Sequence, residues 1–230
     1  MIYKAYQTMI PPLIGVFLSG CVSTFEPRMT GGAIGAPRVP TARTINAGVE
    51  VSIEEYFSSQ KSRRAFDADV SANGVLPILV HVENKSSQDY RLERSGIRAQ
   101  LDGQPLANIH GLEAAEIGAL RNPAWNALVN TAAMGPLAMY FGVLAIAGST
   151  SQTQKINRQI EHHFERMEME DRVLKPNETS TGFVFFKTPG SLGATDGLTL
   201  DITLEPEILG DHTGKSLVYH FAVPALGAQR

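Results

Sequence analysis

Four stretches of this chain alternate apolar and polar side chains with a period of two, and that pattern restricts its fold more than any other feature. In Val75–Asn84 (VLPILVHVEN), Leu76, Ile78, Val80 and Val82 share one face, with Leu79, His81 and Glu83 on the other. Residues 181–187, 198–204 and 217–223 repeat the pattern, with Gly and Pro separating them. Side chains along a strand point to alternate faces, so each stretch predicts a strand with one buried side. Residues 90–93 and 97–101 read as further strands, and Asp102-Gly103 predicts a tight hairpin turn. Pro77 predicts an edge position or a strand start. Ser52-Ile53-Glu54-Glu55 fits a capping box and predicts a short helix through about Gln60. Short antiparallel strands at this spacing predict a β-sandwich.

The strings LPILVHVENKSSQDYRL and LKPNETSTGFVFFKTPG resemble the telokin-like, immunoglobulin-like sandwiches of secreted bacterial proteins and lipoproteins. In that family a core strand ends at an Asn, and an L-x-P-x-E turn precedes a strand of alternating aromatics. Leu174, Pro176 and Glu178 match the turn; Phe183 and Phe185 match the strand. The resemblance spans about 75–106 and 173–223. It implies a fold and no activity, because such sandwiches host unrelated functions.

Residues 111–172 interrupt the strand pattern and read as a helical insertion. Asn122 is a suitable N-cap with Pro123 behind it. No charged residue occurs from 122 to 154, and 18 of the 25 residues from 124 to 148 are apolar. Gly135-Pro136 predicts a break, giving an Ala/Gly-rich helical hairpin of 123–134 and 137–148. A polar joint at 149–153 leads to an amphipathic helix over about 152–171, with Ile156, Ile160, Phe164 and Met167 on one stripe. Three placements of the hairpin are open: as added core, as a membrane or partner contact, or as a transmembrane span. On the contact reading the carrying residues are Trp125, Leu128, Leu137, Tyr140, Phe141 and Leu144.

Cys21 is the sole cysteine, which excludes a disulfide within the chain and a cysteine-based zinc or iron–sulfur site. It ends the string Leu18-Ser19-Gly20-Cys21, behind an apolar run at 13–18 and a single cation, Lys4. That layout is a secretory signal, and the string resembles the lipobox of bacterial lipoproteins. The resemblance implies cleavage between Gly20 and Cys21 and acylation of Cys21 by diacylglycerol and palmitate. Val22 follows where the family's inner-membrane retention signal is Asp, which implies an outer-membrane, periplasm-facing location. The expected organisation is a signal peptide at 1–20, a Gly/Pro/Thr-rich tether at 21–44, and a sandwich domain at 45–230 carrying the insertion.

Twenty Lys and Arg against 23 Asp and Glu give a net charge of -3, so nucleic acid is not an expected partner. His162 and His163 form a small cluster with Glu161 and Glu165, but adjacent helical positions diverge by about 100°. A solvated helix face is the expected account, and no metal or cofactor is assigned. His81 and His220 are expected at exposed or inter-strand positions. Arg63-Arg64 is a candidate anion contact. No nucleophile elbow occurs, and Gly31–Gly35 precedes no helix. The expected class is therefore a non-enzymatic, lipid-anchored binding or assembly protein, contacting a membrane or another envelope protein through 122–154. A structural lipoprotein with a buried insertion, and a His162/His163 metalloenzyme, are the alternatives.

Overall fold

The computed structural model describes residues 24–29, 34–120, 138–189, 197–207 and 215–224; within 138–150 the backbone alone is described. The chain is mainly antiparallel β, with three helices among the described residues. Strands β1 (Ala42–Asn46) and β2 (Val49–Glu55) form a hairpin. Its loop residues Ala47 and Gly48 both have positive φ, as a tight two-residue turn requires. Helix α1 (Ser59–Phe66) follows, then β3 (Val75–Asn84), β4 (Tyr90–Leu101) and β5 (Gln104–Ile109). Helices α2 (Gly111–Gly118) and α3 (Ala138–Met167) come next, and then β6 (Arg172–Leu174), β7 (Thr179–Lys187), β8 (Leu198–Pro206) and β9 (Leu217–Ala222).

The strands join in the order β1-β2-β3-β7-β5-β4-β8-β9, with β6 added beside β4. β5 turns the corner: Leu106 pairs with Ala99 of β4, while Ile109 pairs with Phe185 of β7. At the two ends the Tyr219 hydroxyl donates to the carbonyls of Val49 (2.9 Å) and Asn46 (3.3 Å). This bond draws β9 toward β1, so the sheet is a nearly closed barrel.

Two cores result. Inside the barrel, Val49, Val51 and Ile53 meet Leu76, Ile78 and Val80 and the inward residues of β8 and β9. Outside it, Val75 and Leu79 of β3 and Phe183 and Phe185 of β7 face a helical layer holding Phe66, Ile156, Ile160, Phe164 and Met167. β3 and β7 are therefore covered on both faces, which is why eight of the ten β3 residues from Val75 onward are buried without a break. The stripe predicted on the amphipathic helix is the face that packs.

Four local expectations change. Residues 49–55 form a strand and no helix starts at Ser52: burying Val49, Val51 and Ile53 outweighs a cap contributing about 1 kcal/mol. The helix begins at Ser59, where the Ser58 side chain accepts the Lys61 amide at 3.3 Å. The expected strands 90–93 and 97–101 are halves of β4, joined across a register shift between Leu92 and Ile97. Asn108 fills that break by donating to the carbonyls of Arg94 and Ile97. Pro77 stands in an internal strand, but its carbonyl accepts the Tyr56 amide just past the last β2 pair, so its missing N–H falls beyond the ladder. Finally, 137–148 and 152–171 are not separate helices. α3 runs unbroken to Met167, because no proline interrupts it and Thr153 is buried within it. The first hairpin limb and Gly135-Pro136 lie outside the described residues.

Candidate functional site

The helical layer gathers the groups with most chemical potential. Phe66, Phe164, Phe183 and Phe185 form an aromatic cluster with centroids 4.7–6.1 Å apart. His163 stands at its rim, 1% exposed, and its Nε2–H donates to the Ala65 carbonyl at 2.7 Å. Burial holds its pKa below the usual histidine value, so the neutral ring is favoured. His162 points to solvent and lies 3.3 Å from Glu165. The pair thus diverges as helical geometry requires, but His163 is not on the solvated face expected for it. Among the described residues no three His, Cys, Asp or Glu side chains gather as a metal site.

Part of the expected tether is laid on this layer. Phe25 packs edge-on against the His163 ring at 5.4 Å, and Met29 Sδ accepts the Tyr56 hydroxyl at 3.5 Å. The Glu26 amide donates to Asp67 and the Arg28 amide to the Arg64 carbonyl. This strap, 24–29, separates two clefts. One, of about 780 Å³, is lined by Glu26, Arg28, Gln60, Arg63, Arg64 and Asp67. The other, about 470 Å³, is lined by Phe25, Pro27, Gln159, His162, His163 and Arg166. The candidate anion contact Arg63-Arg64 therefore lies beside a third guanidinium. Residues 42–44, at the end of the expected tether, open β1.

Immediately after the C-terminus of α3, Glu168 accepts from Arg94 and from the Gly111 amide (3.0 Å) and stands 3.3 Å from His110 Nδ1. The Asp171 carboxylate accepts the Arg94 amide at 2.6 Å. This knot ties the β4 bulge to both helices. All the carboxylate's contacts serve packing, so the arrangement is a clamp.

His81 bonds Thr181 across strands at 2.7 Å, with its pKa lowered by burial, and His220 is exposed beside Asp201 at 2.7 Å. Gly20, Cys21, Trp125, Leu128 and Leu137 lie outside the described residues. Tyr140, Phe141 and Leu144 belong to α3, whose backbone runs on without a break into the packed stripe. Among the described residues, no helix is long and apolar enough to cross a membrane. The strap and the clamp were not foreseen. A signal for the first existed in Phe25 and Met29, large apolar residues in a Gly/Pro-rich stretch.

No protein-family model matches the chain, and no curated protein matches it. Among solved structures, a candidate lipoprotein of Bacillus subtilis, ycdA, is similar over 79% of this chain and 38% of its own, at 11% identity and a TM-score of 0.36. The chain thus spans less than half the length of that protein.

Proposed function

We propose that this chain is a lipid-anchored cell-envelope protein with a binding or assembly role and no catalytic one. The lipobox-like Leu18-Ser19-Gly20-Cys21 supports the anchor, and Val22 supports outer-membrane residence facing the periplasm. The observation that carries the binding role is α3 itself. Its packed half, from Thr153 to Met167, continues without a break into the uncharged stretch at 138–150. A rigid helix transmits force and position between whatever holds its apolar half and the barrel. The finer kinship to telokin-like sandwiches belongs to the same proposal, supported by Asn84 and the Leu174–Glu178 turn, which meet in space: Asn84 Nδ2 donates to the Leu174 carbonyl at 2.9 Å.

The test has two arms. Radiolabelled palmitate fed to cells should enter the wild type and not Cys21→Ala; equal labelling overturns the anchor. Tyr140→Glu with Leu144→Glu should abolish crosslinking to envelope partners, or vesicle co-sedimentation of the unlipidated chain, while the circular dichroism melt stays put. A lowered melting temperature with association retained would instead assign 138–150 to the core, the alternative that the buried stripe farther along α3 favours.

A further inference from the structure

The strap fixes where an anchored body must sit. Cys21 precedes Thr24 by three residues, and three residues of chain span at most about 11 Å. Thr24 begins the segment that lies on α1 and α3. An acyl group on Cys21 therefore holds the strap, and the helical layer beneath it, within about 11 Å of the bilayer surface.

That face also carries the matching charge. Around the strap, Arg28, Arg63, Arg64 and Arg166 line the two clefts against the carboxylates of Glu26 and Asp67. Asp67 already accepts the Glu26 amide at 3.1 Å. The four arginines are exposed. Guanidinium groups pair with phosphate through two parallel hydrogen bonds, a geometry that lysine does not offer.

We propose that the strap, α1 and the C-terminal half of α3 form a membrane-facing surface on which Arg28, Arg63, Arg64 and Arg166 engage anionic phospholipid headgroups. This rests on the anchoring reading above and adds an orientation to it: helices toward the bilayer, β8 and β9 away from it. The electrostatic part weakens as salt shortens the screening length.

The experiment uses the full, acylated chain in phosphatidylcholine vesicles with and without phosphatidylglycerol. Acylation of Cys21 leaves an introduced cysteine as the free thiol, so a fluorophore is placed at Gln60→Cys on α1 or Val218→Cys on the outer face of β9. Spin-labelled headgroups should quench the Gln60 probe severalfold more than the Val218 probe. Arg63→Glu with Arg64→Glu should bring the two close to equality. Equal quenching in the wild type, or a ratio untouched by the double variant, overturns the proposal. Should palmitate labelling fail, the anchor alone is lost and the surface is judged by co-sedimentation of the unmodified chain. Each arginine near an anionic surface raises partitioning by roughly fivefold, so phosphatidylglycerol-dependent binding that drops about tenfold or more in the double variant supports it. Absent binding, or binding equal on phosphatidylcholine alone, overturns it.

Discussion

Gly182 shows how little freedom a single position in the centre of β7 retains. A methyl group there would meet the Met169 backbone, 2.5 Å from its Cα and 2.7 Å from its nitrogen. The neighbouring bond, Met169 N–H to the Phe183 carbonyl at 2.8 Å, holds that backbone in place. Gly182→Ala should therefore lower stability by about 2 kcal/mol or more, read as a reduced urea midpoint with unchanged slope. His163 makes a different demand. Its folded pKa lies below the unfolded value of about 6.5, so above that pH the ring is neutral in both states and adds no pH dependence. Below it the unfolded chain binds a proton that the folded chain resists, and stability falls with pH until the folded pKa is reached. His81, also lowered by burial, adds in the same direction. Urea unfolding between about pH 7 and pH 5 should show a shallower loss in His163→Asn than in the wild type; an identical loss would remove His163 from the account.

Among the elements, the clearest case is the turn between β6 and β7. Asn84 is fully buried at the end of β3. Its Nδ2 donates to the carbonyls of Gln88 (2.7 Å) and Leu174 (2.9 Å), and its Oδ1 accepts from the Ser86 amide and hydroxyl. Glu178 closes the turn by accepting the Lys175 amide at 3.0 Å. Asn84→Ala strands several buried partners at once and should cost about 3 kcal/mol in chemical unfolding. At the clamp beyond α3, Glu168→Ala takes the carboxylate from Arg94, which keeps the Ile109 carbonyl, and leaves the Gly111 amide without its acceptor. A loss of about 1–3 kcal/mol is expected, and Arg94→Ala in the same chain should add little to it. Both motifs bear on what could be read beforehand. The period-two strands and the stripe at Ile156, Ile160, Phe164 and Met167 were legible because each pattern reports its own burial. β2 was not, since a local capping signal competed with a strand whose second partner, β3, lies some thirty residues on. His163 lies seven residues after Ile156 and three after Ile160, so the helical period did carry its burial; exposed His162 masked it. The clamp joins residues far apart in sequence and no local pattern encodes it; the strap's partners are as distant, and its one local trace is the pair of large apolar residues Phe25 and Met29.

For the molecule as a whole, the seam between β1 and β9 and the shared strands β3 and β7 decide how it holds together. Tyr219 spans the seam, with burial pushing its hydroxyl pKa up to about 12. Tyr219→Phe removes the donor shared by two carbonyls and should cost about 1 kcal/mol, with amide exchange in β1 rising before exchange in β3. Because β3 and β7 belong to both cores, loss of either layer exposes the other, and a single cooperative transition is expected by fluorescence and circular dichroism; separated midpoints would contradict it.

The pairing of Leu79 with Phe183 bridges roughly a hundred residues, and its neighbours along β3 wait for the same distant strand. Long-range pairings of this kind fold slowly, since the intervening loop must close before contacts repay it. A chain emerging from its amino end, through a ribosome or a translocation pore, thus has neither core until its last quarter arrives. The strap near Cys21, synthesised among the first residues, is then among the last to find its place.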